Sequence, residues 1–411
     1  MKLKIYYFLL ILFFSGQVLA TEKFSLSVPS AIIIDAKTGV VLYEKNADKQ
    51  YFPASITKIM TGMLACELGK FEDPITVSRS AAYSIERGSS SIALKPNEKV
   101  SLRDVVYGLM LRSANECGNI IAEYLRGSNQ NFASLMNGRA ALLGCKNTNF
   151  VNPHGLHDKN HLTTARDMAL IARAAMLNPL FRKVVNTKFY PFPDTNKHKH
   201  EERGNLRNKN KFLHPKSKYY YKFCSGIKAG YTKKSLHTFV ASATDKKHEV
   251  IVVVLNVADK KIMYAELRKG MEYGLKQFKR RVLVEKDFQV DEIQLARAAS
   301  KMSVRTKDIV VVDVPLQLSK NKIKREIFID RDTSLPVSAG QNVGKIKFTY
   351  KNMVFGESEL ISGYEVVNVL SWENLKKFFI SLPFLIGSAC LVCVLILLIP
   401  IPFDKSKKSF L

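Results

Sequence analysis

The sequence predicts an α+β protein: an antiparallel sheet with helices, followed by a small all-β domain and a C-terminal transmembrane helix. Three observations carry this. Two pairs of β-rich runs, in "AIIIDAKTGVVLYEKN" and "HTFVASATDKKHEVIVVVLNV", flank a series of helical periodicities. After Val282 the helical period gives way to short alternating segments. Near the end, no charge interrupts Phe378 to Phe403, which is long enough for the roughly 20 residues that a bilayer helix needs. At 411 residues the chain exceeds one small core, so two domains with appendages are expected.

Residues 1–20, "MKLKIYYFLLILFFSGQVLA", combine basic Lys2 and Lys4, an apolar run and a small-residue end at Ala20. They read as a cleaved secretory signal, with an uncleaved anchor as the alternative. Next comes a hairpin whose turn, Asp35 to Gly39, contains a literal K-T-G at Lys37, Thr38 and Gly39, best read as turn chemistry. Behind Pro53, Ile56, Ile59, Met60, Met63 and Leu64 recur at helical spacing and put Ser55 and Lys58 in the first turn. Helices follow at Leu102 to Leu111 and Ala114 to Leu125, and another opens on a Thr164/Asp167 capping box. Residues 187–222 are polar and basic and read as a long surface loop with some strand. The antiparallel pair around Asp245 to Lys247 and a helix from Lys260 to Phe278 close a domain of residues 21–281. A β-rich domain of residues 282–370 follows, and residues 371–411 are the anchor with a basic tail. Lys405, Lys407 and Lys408 place that tail in the cytoplasm and everything before the anchor outside it. Pro383, Pro400 and Pro402 leave an in-plane amphipathic anchor as the alternative.

Cys390 and Cys393 fall in the anchor; Cys66, Cys117, Cys145 and Cys224 lack metal-type spacing, and Cys66 and Cys117 lie on apolar helix faces, so the four read as buried free thiols, with a disulfide framework as the alternative. The net charge of +27 comes without a nucleic-acid motif; anionic lipid and wall polymers fit an exported chain better, and a lysine-rich solvated surface is the plain alternative.

S-x-x-K occurs at Ser55/Lys58, Ser225/Lys228 and Ser319/Lys322, so spacing alone decides nothing. Only Ser55 and Lys58 start an apolar helix, where the three-residue step brings the side chains together. A serine hydroxyl needs a base to attack a carbonyl, and a partly buried lysine with a lowered pKa supplies one. Ser113 and Asn115 add polar groups at a helix start, although Ser113 with Glu116 also spells a capping box. Lys228 and Gly230 lie just before the sheet hairpin, where glycine lets a ligand approach the backbone. His154, His157, Asp158 and His161 sit in a Pro/Gly-bearing loop with irregular spacing, which favours a structural loop over a metal site.

Ser-x-x-Lys, Ser-x-Asn and Lys-x-Gly, in that order at 55, 113 and 228, resemble the penicillin-recognising serine enzymes, and most closely the D-alanyl-D-alanine carboxypeptidases, the low-molecular-mass penicillin-binding proteins. Supporting stretches are "FVNPHGLHDKNHLTTARDMALIA" and "SGIKAGYTKKSLHTFVASAT", and the likeness covers Ser30 to Val284 and more loosely the β domain. The resemblance implies a penicillin-binding/β-lactamase-like transpeptidase domain that acts on peptidoglycan stem peptides ending in D-Ala-D-Ala and binds β-lactams. It implies no cofactor, no metal and no nucleic acid. By resemblance Ser55 is the nucleophile, Lys58 its base, Ser113 a proton relay and Asn115 a holder of Lys58 and substrate. Lys228, Gly230, Tyr231 and Thr232 bind substrate, and the amides of Ser55 and Tyr231 form the oxyanion hole. The departure is Ala229, where the family usually has threonine; Thr232 is a possible substitute, and Lys260, Lys261 and Arg268 are candidates to meet the substrate carboxylate. A weakened penicillin-binding homologue and a β-lactamase are the rival readings. The expected location is the bacterial cell membrane, with the catalytic domain on the outer face.

Overall fold

Strand β1 (Ser30–Asp35) is a run of six residues, all buried, so both of its faces must be covered. The computed structural model describes residues 24–330, 333–351 and 353–369. The expected signal segment and the Phe378 to Phe403 run lie outside the described residues, among which no helix is long and apolar enough to cross a membrane.

In the first unit β1 joins β2 (Val41–Lys45), β3 (Cys224–Thr232), β4 (Leu236–Thr244) and β5 (Glu249–Val257) in one sheet, in the order β2-β1-β5-β4-β3. Every pairing is antiparallel, and β1 and β5 are in register from Ser30 opposite Leu255 to Asp35 opposite Val250. The expected hairpin and strand pair are both present. The Asp35 carboxylate accepts from Thr38 N and Oγ1, and Gly39 has φ +69°, so the literal K-T-G is a turn.

The period of two sorts β1 and β5 between two layers. Ile32, Ile34, Ile251 and Val253 join the core beneath helices α1 (Lys58–Leu68) and α2 (Leu102–Tyr107). The same core takes in α3 (Asn115–Arg126), α4 (Asn129–Leu142), α5 (Ala165–Leu177) and α6 (Pro179–Asn186). Ile33, Val250 and Val252 face α7 (Lys260–Leu275), which lies on the other side. Burial of both faces is why "VIVVVL" reads as a continuous apolar run.

Three local departures from the sequence reading bear on the site. Ser55 lies in a 3₁₀ turn, Ala54–Thr57, and the α-helix starts only at Lys58. The helix beginning at Leu102 passes into a π turn, Gly108–Arg112, that ends on Ser113. Residues 187–222 form a short ribbon, Phe189–Pro191 with Asn205–Arg207, and fix themselves to the body through buried Phe192, Leu206, Phe212 and Leu213. They are a wall of the site rather than a loose surface loop.

The chain divides into two units between Lys276 and Gln277. Strand β6 (Phe278–Val284) pairs with β9 (Val310–Pro315) and so belongs to the second unit, and α7 ends at Leu275, short of the expected Phe278. The rest of that unit is an all-antiparallel sheet in the order β7 (Gln289–Ile293), β8 (Met302–Thr306), β12 (Met353–Ser362), β11 (Asn342–Tyr350), β10 (Lys324–Ile329). It has its own core, with Met302, Val304, Ile346 and Leu360 fully or almost fully buried.

Candidate active site

A turn of 3₁₀ helix has three residues per turn, so residues i and i+3 eclipse. That places the Lys58 side-chain nitrogen under the Ser55 hydroxyl, with Nζ 3.2 Å from Oγ. The turn is held from outside. Thr238 of β4 donates to the Pro53 carbonyl at 2.8 Å, and Ala54 takes a left-handed φ of +51°. Gly155 packs so closely that a Cβ there would stand 1.9 Å from the Ala54 carbonyl oxygen.

Lys58 is wholly buried, and its Nζ also reaches Asn115 Oδ1 at 2.6 Å and the His154 carbonyl at 2.5 Å. Neither oxygen can donate, so both must accept. As an ammonium Lys58 would donate to all three oxygens; as a neutral amine it donates to these two acceptors and its lone pair is left for the Ser55 O–H. Burial, then Lys228 and Lys209, push the Lys58 pKa well below its ordinary value, against a smaller opposing pull from Glu116. Burial and the neighbouring lysines therefore favour a neutral lysine, and its distance from Ser55 Oγ lets it take the serine proton.

Ser113 ends the π turn in a left-handed conformation, φ +63°, and is buried. This backbone moves the cap of α3 to Ala114, so the expected Ser113/Glu116 capping box does not form. Glu116 instead accepts from Ser91 Oγ at 2.6 Å and Ile92 N at 2.7 Å. The same segment supplies the Ser90 carbonyl to Asn115 N, and Ser90 Oγ accepts from Lys209 Nζ at 2.9 Å. The Thr164 cap does form, but Asp167 turns to Lys146 N, Asn147 N and Thr148 Oγ1.

The third side is β3. A Cβ on Gly230 would lie 2.8 Å from Ser55 N, so only glycine lets the strand pass this close to the serine. Lys228 is buried, and its pKa is lowered to about 7 by burial and then by Lys209. Lys209 in turn is lowered by partial burial and by Arg112. A cavity of about 800 Å³ opens here, lined among others by Ser55, Ser113, Lys228, Ala229, Gly230 and Tyr231. Lys58 and Asn115 lie behind its floor.

Thr232, expected to bind substrate, does not line the cavity. Its hydroxyl donates to Ser235 Oγ at 2.8 Å and accepts from Ser235 N at 3.0 Å in the β3–β4 turn, where it cannot replace a hydroxyl at 229. Of the three basic candidates, Lys260 lines the cavity, whereas Arg268 donates to the Tyr219 and Tyr220 carbonyls. No sequence signal marks Lys209, Arg112, Ser90 or the His154 carbonyl; a polar stretch such as "LRNKNKF" carries no period that would set its lysines on a cavity wall.

His161 Nδ1 accepts from Val151 N, so Nε2 carries the proton and faces Thr57 Oγ1 at 2.9 Å. His154 Nδ1 accepts from Leu156 N. These rings brace the loop that presents the His154 carbonyl to Lys58. Among the described residues no cluster of three or more His, Cys, Asp or Glu could hold a metal ion. Cys66, Cys117 and Cys224 are buried free thiols, and Cys145 is half-buried and free.

The sequence profile described as "D-alanyl-D-alanine carboxypeptidase" matches residues 17–259. The chain belongs to the D-alanyl-D-alanine carboxypeptidase family. A second profile, "Penicillin-binding protein 5, C-terminal domain", matches residues 278–368. The D-alanyl-D-alanine carboxypeptidase DacC of Escherichia coli is 30% identical over 351 residues, 83% of this chain and 84% of that one. DacF of Bacillus subtilis is 28% identical over 361 residues, 87% of this chain and 88% of that one. The crystal structure of penicillin binding protein 5 from Haemophilus influenzae matches with a TM-score of 0.59 and 26% identity, covering 84% of this chain and 99% of that one. This carboxypeptidase-family chain therefore has the penicillin-binding-protein fold followed by the family's C-terminal β domain.

Proposed function

We propose that the chain is a serine-type D-alanyl-D-alanine carboxypeptidase that trims peptidoglycan stem pentapeptides. The observation that carries this reading is the buried Lys58 Nζ, 3.2 Å from Ser55 Oγ and held by Asn115 Oδ1 at 2.6 Å and the His154 carbonyl at 2.5 Å. Ser55 Oγ attacks the carbonyl carbon of the bond between the last two D-alanines as its proton passes to Lys58 Nζ. The oxyanion rests on the amides of Ser55 and Tyr231, each worth about 3 kcal/mol where such donors have been removed. Collapse breaks the C–N bond, Ser113 relays the proton to the departing D-alanine amine, and water then releases the shortened peptide from Ser55. Lys228, with Lys209 and Lys260, meets the terminal carboxylate, and Asn115 keeps Lys58 in place. A β-lactam acylates the same Ser55.

Residues 1–20 act as the export signal, and residues 371–411 anchor the protein in the cell membrane with the catalytic domain on the outer face. The charge-free Phe378 to Phe403 run and the lysines after it support this placement. A β-lactamase needs a deacylating base, and among the described residues no carboxylate lines the cavity. Ala229 favours one second reading, an acylable enzyme of reduced turnover, because a lost hydrogen bond to a carboxylate costs about 1.5–3 kcal/mol.

The test is release of D-alanine from a peptide ending in D-Ala-D-Ala by the native protein, Ser55→Ala and Ala229→Thr. Release that vanishes in Ser55→Ala is expected, with a gain in Ala229→Thr. Labelling of Ser55 by fluorescent penicillin without any native release would leave only the weakened reading.

A further inference from the structure

Sixty-three Lys and Arg against 36 Asp and Glu along the chain would put between two and three acids among every seven charged residues. Among the described residues the cavity beside Ser55 has seven Lys and Arg in its lining and not one Asp or Glu. A substrate with a single terminal carboxylate accounts for buried Lys228 and, on the reading above, for Lys209 and Lys260, which line the same cavity from its exposed side. Four further cations remain, Arg112 at the end of the π turn and Arg207, Lys211 and Lys218 on the 187–222 wall. None of the four has a carboxylate partner within 4.0 Å among the described residues.

The rim is braced rather than loose. Lys211 Nζ and Lys218 Nζ stand 5.8 and 5.3 Å from the centre of the Tyr219 ring. That ring stacks at 4.1 Å on buried Tyr264, which anchors it to α7. Cations gathered on the walls of a concave site focus a positive potential into it and raise the local concentration of anions.

We propose that Arg112, Arg207, Lys211 and Lys218 form a second anion subsite, which takes a carboxylate of the stem peptide upstream of the scissile bond. The inference rests on the carboxypeptidase reading and adds its substrate class: acidic stem peptides are preferred over neutral ones with the same D-Ala-D-Ala terminus. Screening of exposed charges makes the preference salt-dependent.

The test uses the full-length protein and two peptides, Nα-acetyl-L-lysyl-D-Ala-D-Ala with the lysine ε-amine capped by acetyl or by succinyl. The second differs by one carboxylate upstream of the cleaved bond. We expect kcat/KM for release of D-alanine to be at least tenfold higher with the succinyl peptide at low salt, and the ratio to fall several-fold at 0.5 M salt. In Arg112→Gln/Lys211→Gln and Arg207→Gln/Lys218→Gln the ratio falls below threefold; because it is read within each variant, a loss of folded protein cancels. Equal kcat/KM for the two peptides with the native protein, alongside ready D-alanine release, overturns the subsite and leaves the carboxypeptidase standing. Absence of release from both overturns the carboxypeptidase reading and the subsite with it.

Discussion

Gly230→Ala tests the claim that β3 presses against the reactive serine. The added methyl carbon would sit 2.6 Å from Thr238 Oγ1, 2.8 Å from Ser55 N and 3.1 Å from Ala54 Cβ. Ordinary contact begins near 3.4 Å, so the Ser55 amide or the strand must retreat by about 0.6 Å. The Thr238 hydroxyl is tied to the Pro53 carbonyl and cannot simply rotate away. A displaced oxyanion donor is worth about 10²–10³ in rate, and overpacking costs about 1–3 kcal/mol in stability. The assay is the rate of Ser55 acylation by fluorescent penicillin together with D-alanine release, after thermal melting has shown the variant folded. Gly138→Ala is the control, because Gly138 lies on an exposed helical face with nothing within 4 Å of the added carbon. A Gly230→Ala enzyme that acylates within threefold of the native rate would refute the close approach, and the oxyanion hole built on it.

Other perturbations probe the lysines and the wall. Acylation requires neutral Lys58, so its rate should rise with pH and level off well below pH 10.5; Glu116→Gln removes the charge that raises the Lys58 pKa and should move that limb to lower pH, whereas a move upward would contradict the assignment. Lys228 has a folded pKa of about 7 against an unfolded 10.5, so between these values the unfolded chain holds more protons and stability is lost as pH falls. Lys228→Met should abolish that slope, up to about 1.4 kcal/mol per pH unit; parallel native and variant stability curves from pH 7.5 to 9.5 would sink the idea. Glu98 is fully buried and accepts from Arg203 at 2.9 Å as well as from Thr195 and Lys95 N. Burial acts to raise its pKa, but Arg203 and these donors outweigh it and hold the pKa low. Arg203→Met should therefore destabilise by about 3–5 kcal/mol in chemical denaturation, and a loss under 1 kcal/mol would mean that the pair is not needed.

What could be read from the sequence was what is local. The hairpin at Asp35 to Gly39, the strand pair around Asp245 and the helix behind Pro53 each announce themselves within a dozen residues, and the structure contains all three. Ser55 and Lys58 are three residues apart, so their encounter follows from helical geometry alone. The contacts that tune them come from afar: Lys58 meets His154 across 96 positions, and Lys209 meets Ser90 across 119. No periodicity encodes such pairings. Ser113 and Glu116 misled for a related reason. Their spacing suits a capping box, but the π turn leaves Ser113 with a left-handed backbone that the spacing does not reveal. Thr232 has the right alternation to share a face with Lys228, yet the β3–β4 turn captures its hydroxyl first.

The lowered pKa values of Lys58, Lys228 and Lys209, each owed first to burial, have a thermodynamic consequence. With no anion in the cavity, Lys228 at neutral pH is shared between its charged and neutral forms. A carboxylate arriving beside it restores the charged form, so that ligand association draws protons from solution. The heat of association in calorimetry should then change with the ionisation enthalpy of the buffer, and the affinity for a carboxylate ligand should weaken as the medium becomes alkaline. Substrate capture and the readiness of the base thus pull in opposite directions along the pH scale, and the enzyme's working range lies where the two overlap.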